Sequence, residues 1–218
     1  MPDIDTTEND LSHILVINSS ASGDVSVSRT LVGDIVRGLV EAHPDVRLTC
    51  RDVDEEGIPH LSAATVAGVR AVAATEAELA TRALSDELIA ELQAADIVVI
   101  GAPMYNFSIP SSLRAWFDHV LRPRVTFAYS AAGPQGLLTG KRAIVVESRG
   151  GLYSEGPGKA SDFQEPYLKQ LLGFIGIVDV TFIHAEKIGF GPEARELALA
   201  GAREQIAQAV AGLSVTPA

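Results

Sequence analysis

Three stretches of this sequence place hydroxyls, aromatics and paired glycines at positions where binding chemistry could follow. The first is Asn18-Ser19-Ser20-Ala21-Ser22-Gly23-Asp24-Val25-Ser26-Val27-Ser28, which offers Ser19, Ser20, Ser22, Ser26 and Ser28 but no lysine or arginine. Serine hydroxyls beside the free N–H groups of a helix start can hold a phosphate without a cation. A plain polar loop with a serine cap would use the same residue types. Two sharper phosphate motifs are missing. No G-x-G-x-x-G is present, and Gly140-Lys141 has Gln135 where a P-loop needs its first glycine.

The second stretch is Ala102-Pro103-Met104-Tyr105-Asn106-Phe107-Ser108-Ile109-Pro110-Ser111. Large apolar and aromatic side chains are out of place in a solvated loop, and Pro103 and Pro110 stiffen both ends. Such a loop could cap a sheet, or it could wall a flat heteroaromatic ring whose polar edge meets Asn106 and backbone N–H groups. The third is Ser148-Arg149-Gly150-Gly151-Leu152-Tyr153, where paired glycines let the backbone approach a ligand closely. Together the three describe a mononucleotide site, with the phosphate at the first loop and a ring between the other two, as a flavin is arranged.

Each stretch follows a run that reads as a buried strand. His13-Ile14-Leu15-Val16-Ile17, Ile97-Val98-Val99-Ile100 and Ala143-Ile144-Val145-Val146 are continuous and apolar, as strands covered on both faces are. Residues 46–53 read as a more exposed second strand and residues 178–184 as the last. Helical spacing joins them: Leu31, Val32, Ile35, Val36, Leu39 and Val40 after a Ser28 cap; Leu84, Leu88 and Leu92 within the Ala-rich residues 63–95; Leu113, Trp116, Phe117, Val120 and Leu121 after a Ser111 or Ser112 cap. Leu168, Leu171, Leu172 and Ile175 mark another helix, and Pro192 opens a closing one through Ile206, Val210 and Leu213. Residues 125–130 alternate like an exposed hairpin strand, with Gly133-Pro134 as its turn.

This alternation predicts one α/β domain over residues 1–218, a doubly wound five-stranded parallel sheet in the flavodoxin-like order 2-1-3-4-5. The hairpin would be an insertion before strand 4, and residues 1–12 and 214–218 would be mobile tails. Ligands of such sheets sit beyond the carboxyl ends of the strands, where the three loops lie.

The residues are now recognisable. The chain resembles the FMN-dependent NADH-azoreductase and NAD(P)H:quinone oxidoreductase family across nearly its whole length. The likeness is carried by residues 14–28, by Met104-Tyr105-Asn106-Phe107 in its proline frame, by Thr126-Phe127-Ala128-Tyr129 through Gly140-Lys141, and by Ser148-Arg149-Gly150-Gly151. The resemblance implies one non-covalent FMN per subunit of a homodimer. Ser20, Ser26, Val27 and Ser28 would match its phosphate contacts. Met104, Tyr105, Asn106, Phe107, Ser148, Arg149, Gly150 and Gly151 would match its isoalloxazine contacts. It also implies NADH or NADPH as co-substrate, with quinones and aromatic azo compounds as acceptors and Tyr153 near the substrate pocket.

Composition sets the remaining bounds. The chain has 218 residues, 47% hydrophobic and 21% charged, which is ordinary globular usage. Its 28 acidic and 17 basic residues give a net charge of -11, which disfavours nucleic acid and anionic membranes as partners. The single cysteine, Cys50, reads as buried packing in the second strand. No apolar run reaches membrane-spanning length, the polar acidic start is unlike a signal peptide, and the cytoplasm is expected. The five histidines show no metal-ligand spacing, so no metal site is expected. His119 would sit solvated on the polar side of its helix, and Asp96 would serve a turn. Phe163 and Tyr153 suit either packing or a substrate face. No side chain is singled out as catalytic, since the flavin would carry the redox chemistry. Two other functions use this fold: an FMN electron carrier without pyridine-nucleotide turnover, and a signalling receiver. The receiver needs acidic residues after strands 1 and 3, where Asn18-Ser19-Ser20 and Gly101-Ala102-Pro103 stand instead.

Overall fold

The computed structural model describes residues 11–213; of the tails expected at residues 1–12 and 214–218, Leu11 and Ser12 fall inside it and are held, Leu11 against the core and Ser12 by Asp96, while the rest lie outside the described residues. The chain alternates strands and helices from β1 (His13–Asn18) and α1 (Val27–Ala42) through β2 (Arg47–Asp52), α2 (Ala67–Arg70), α3 (Glu76–Ala94), β3 (Ile97–Pro103) and α4 (Ser111–Val120). The short strands β4 (Phe127–Ser130) and β5 (Gly133–Gly136) follow, then β6 (Arg142–Ser148), α5 (Glu165–Ile175), β7 (Asp179–Ala185) and α6 (Pro192–Leu213). The main sheet has the order β2-β1-β3-β6-β7, every neighbouring pair parallel. This is the expected 2-1-3-4-5 order, with β4 and β5 standing apart as a two-stranded antiparallel ribbon.

The sheet divides its side chains between two cores because successive residues of a strand point to opposite faces. Ile14, Val16, Ile97 and Val99 pack with Leu31, Ile35 and Leu39 of α1 and Leu199 and Ile206 of α6. Leu15, Ile17, Val98 and Ile100 pack with Leu88 and Leu92 of α3, Trp116 of α4 and Leu168 of α5. Each fully buried aliphatic side chain contributes about 1.5–3 kcal/mol. The two-sided core therefore makes the strand ends a rigid rim on which loops can be held.

Several local expectations need correction. Ser26, not Ser28, caps α1: its hydroxyl accepts from Arg29 N, while Ser28 is already inside the first turn. Neither Ser111 nor Ser112 caps α4, whose N-cap position holds Pro110 without a side-chain bond. Proline suits that place because helix starts leave N–H groups unpaired anyway. Gly133-Pro134 lies in β5 instead of forming the turn, since Tyr129 pairs with Pro134 and Ser130 with Gly133. Cys50 is exposed, because β2 is an edge strand that its neighbours cover incompletely. His119 is buried: the loop carrying Val53 and Ile58 folds over α4, and the imidazole Nε2 meets Pro59 O at 2.9 Å. Asp96 does more than shape a turn. Its Oδ2 accepts from Ser12 N, Ser12 Oγ and His13 N at 2.8–2.9 Å, tying the start of β1 to the start of β3. Trp116 and Phe117 do lie in the core, as their spacing suggests.

Candidate functional site

The three loops meet at the carboxyl ends of β1, β3 and β6, the central strands of the sheet. Ser20 Oγ lies 3.4 Å from Tyr105 Oη, joining the first loop to the second. Met104 N donates to Ser148 O at 2.9 Å, joining the second to the third. All twelve sequence-nominated residues therefore lie along one rim.

In the first loop, Ser20, Ser26, Val27 and Ser28 are buried. Ser26 Oγ stands 3.0 Å from Ser28 Oγ and 3.2 Å from Arg29 N. The N–H groups of Val27 and Ser28 open α1, so no carbonyl lies one turn back for them to bond. Arg29 is the nearest cation in sequence, and its guanidinium is paired with Asp52 at the end of β2. What the loop offers an anion is therefore neutral donors and the positive end of the helix, with no unpaired cation beside it in sequence. Asn18 Oδ1 is buried beside it without a partner among the described residues.

In the second loop, residues 105–108 form a tight turn in which Tyr105 and Ser108 exchange backbone bonds at 2.9 and 3.1 Å. Its two central residues, Asn106 and Phe107, have φ of 47° and 72°. Asparagine tolerates the left-handed region, whereas a bulky aromatic there is strained, and such strain gathers at ligand sites. Both side chains are exposed, and Phe107 meets Tyr153 edge-on at 6.2 Å. Phe163, itself exposed, donates its N–H to Phe107 O at 3.1 Å. An open groove of 520 Å³ is lined by Tyr105, Asn106 and Ser108 of this turn with Ile109, Arg114 and Tyr167.

The third loop is held by its carbonyls. Ile188, Gly189 and Lys187 donate to the carbonyls of Arg149, Gly150 and Gly151 at 3.2, 3.1 and 2.8 Å. The N–H groups of Gly150 and Gly151 have no backbone acceptor among the described residues. A Cβ on Gly150 would meet nothing within 4 Å, so the space above it is open.

Arg149 behaves differently from its neighbours. Its side chain is wholly buried and ion-paired with Glu147, Asp162 and Glu186, so only its backbone is left to face a ligand. Glu147, Glu165 and His184 join it there, bringing one ligand atom each to within 4.8 Å of one another. The cation already in contact with Glu147 Oε2 is the Arg149 guanidinium, at 2.5 Å. Sequence reading missed Glu147, Gln164, His184 and Glu186. They belong to different elements, and no local spacing could have announced them.

These features suit FMN. The first loop supplies neutral donors for a phosphate, the strained turn of the second supplies a wall, and the third supplies open space with two free N–H groups. A five-stranded parallel sheet bearing such a rim defines a flavodoxin-like protein. A family model described as "flavodoxin-like fold" matches residues 12–210. A Hyphomonas neptunium relative, named FMN-dependent NADH:quinone oxidoreductase, is 59% identical over 208 residues, covering 95% of this chain and 100% of the relative. An Azotobacter vinelandii relative of the same name is 50% identical over 200 residues, covering 91% and 99%. Among solved structures, an azoreductase from Bacillus anthracis superposes with a TM-score of 0.83 at 26% identity, covering 92% of this chain and 99% of that one. The chain belongs to the flavodoxin-like fold family, among the relatives named FMN-dependent NADH:quinone oxidoreductases. No helix among the described residues is long and apolar enough to cross a membrane.

Proposed function

We propose that this chain is an FMN-dependent NADH:quinone oxidoreductase that also cleaves aromatic azo compounds, working as a homodimer with one non-covalent FMN per subunit. The observation that carries the reading is the convergence of the serine loop, the strained 105–108 turn and the Gly150-Gly151 strip, joined by the contacts Ser20–Tyr105 and Met104–Ser148.

When bound, FMN would supply the two-electron hydride chemistry that links a nicotinamide donor to an acceptor. The chain does the rest. Ser20, Ser26, Val27 and Ser28 hold the phosphate through hydroxyls and the α1 N-terminus. Met104, Tyr105, Asn106 and Phe107 wall the ring, and the N–H groups of Gly150 and Gly151 stabilise negative charge at its polar edge. Phe107, Tyr153 and Phe163 border the open side, where flat aromatic substrates can stack. Nicotinamide and acceptor use that one side in turn, which predicts ping-pong kinetics. Reducing an azo bond to two amines takes four electrons, hence two turnovers. No side chain is required as acid or base, and NADH and NADPH are both admitted as donors.

The test is NADH oxidation by the purified, FMN-loaded chain with menadione as acceptor. Steady turnover with parallel lines in double-reciprocal plots is expected. A yellow protein that consumes no NADH would be an electron carrier, and a colourless one that takes up no FMN would defeat the assignment altogether.

A further inference from the structure

Beneath the strip of residues 148–151 lies a buried ionic cluster that the redox reading leaves unused. Arg149 is its hub. Nη2 donates to Glu147 Oε2 at 2.5 Å and lies 3.2 Å from Asp162 Oδ2, Nη1 reaches Glu186 Oε1 at 3.2 Å, and Nε reaches Gln164 Oε1 at 3.2 Å. Gln164 Nε2 in turn donates to Ala102 O at 2.7 Å, at the end of β3. Glu186 accepts from Tyr153 N, Ser154 N and Ser154 Oγ. One guanidinium therefore ties together the β3 end, the Gly150-Gly151 strip and the turn that presents Tyr153.

His184 stands opposite Glu147 in the β6–β7 register, with Nε2 3.2 Å from Glu147 Oε2 and 2.8 Å from Glu165 Oε2. The second oxygen of Glu147, Oε1, is buried and has no partner among the described residues. The charged groups facing this point are Glu147 and Arg149 at the end of β6, His184 of β7 with Glu186 beyond it, Glu165 at the start of α5, and Asp162 before it. From α6 comes only the neutral Gln205, whose amide bonds the His184 backbone. Among the described residues four carboxylates face one permanent cation, and burial of the Glu147 carboxylate in that company favours its protonated form.

We infer that Glu147 and His184 hold one shared proton beneath the strip, and that this proton makes them, with Arg149, positioning residues for the flavin ring. The inference rests on the FMN reading above. With the proton in place, Glu147 takes hydrogen bonds from both His184 and Arg149, and the guanidinium is free to serve Gln164 and Glu186. Without it, the guanidinium is drawn toward the uncompensated Glu147, and the strip and the Tyr153 turn lose their common anchor. The bond to Glu147 holds His184 above the ordinary histidine range, and burial pushes Glu147 above the ordinary carboxylate range. The two titrate as a unit. Both raised groups act with one sign: their contribution is fully present below the ordinary values and is lost as pH rises through the raised ones.

The experiment is an FMN titration of the full apo chain, read by flavin fluorescence from about pH 6 to about pH 9, on either side of the ordinary histidine value. Native chain, Glu147→Gln and His184→Gln are compared, and the His184 ring of the native chain is followed by NMR over the same range. The native Kd should rise on the order of tenfold with pH, the equivalent of one unit of pKa difference between free and bound states. Glu147→Gln should shrink the pH dependence of Kd to what the remaining His184–Glu165 pair at 2.8 Å supplies, and the native His184 ring should titrate above an ordinary histidine. A native Kd that ignores pH, or a pH dependence that survives both substitutions, overturns the inference. So does a His184 ring titrating at the ordinary value, a result that needs no variant to fold. A chain that binds no FMN at any pH overturns the proposed function itself, and the inference with it.

Discussion

Replacing Arg149 by methionine should be among the most damaging single changes available in this chain, although the residue need not touch a ligand with its side chain. Methionine keeps much of the length and loses the charge. Glu147, with a fully buried side chain, would keep only His184 as a donor, and Gln164 Oε1 would lose its donor as well. Removing one partner of a buried ion pair costs about 3–5 kcal/mol. At roughly 2–4 °C per kcal/mol for a domain of this size, Tm should fall by about 6–20 °C. The loss should also depend on pH in a definite direction. Without Arg149, Glu147 would rise further above the ordinary carboxylate range, so the variant gains protection by protonating in acid and loses it as pH rises. Thermal unfolding of native and variant chains, without flavin, at an acid and an alkaline pH would measure this. The deficit should be larger at alkaline pH, and adding Glu147→Met should recover part of it, because an apolar pair can replace a buried ionic one. A deficit below about 1 kcal/mol, the range of exposed ion pairs, would refute the buried-hub reasoning, as would one that is equal at both pH values.

Three further outcomes are expected. Ser28→Asp should abolish retention of FMN through purification, since two like charges about 4 Å apart repel by roughly 4 kcal/mol at an effective dielectric constant of 20; undiminished retention would remove the phosphate assignment. Gly136→Ala should destabilise by about 1–3 kcal/mol, measured by denaturant unfolding, because its new Cβ would lie 2.1 Å from Gly176 N, and backbone cannot step aside as a flexible side chain can. Burial pushes the Asp96 carboxyl up, but the bonds from Ser12 and His13 outweigh it and hold it below the usual range. Its contribution is therefore present above the ordinary aspartate value and is lost as pH falls through the lower one, so Asp96→Asn should lower Tm at neutral pH and converge with the native chain in strong acid.

The parts of the fold that could be read in advance are those written locally. Ile14-Leu15-Val16-Ile17 and Ile97-Val98-Val99-Ile100 are apolar without a break because both of their faces are covered, and that pattern needs no knowledge of what covers them. Of the ribbon, residues 125–130 show only part of one strand, which starts at Phe127 and begins buried instead of exposed, and Gly133-Pro134 misleads because Gly-Pro is common in turns yet here pairs with Ser130 and Tyr129. His119 looked solvated from the helical pattern of α4, which cannot register a loop arriving from residue 59. Cys50 looked buried from its residue type, which cannot register that its strand lies at an edge.

The division at the site follows the same line. Residue types and spacing were enough to nominate the serine loop, the aromatic loop and the paired glycines, because each is a contiguous segment whose backbone needs are visible in its own residues. That Ser20 meets Tyr105, and that the Arg149 side chain turns from the rim into a cluster with Glu147, Gln164, His184 and Glu186, were decided by tertiary structure alone. Those relations hold between residues distant in sequence, and a buried charge finds its partners only when the sheet brings the strand ends together.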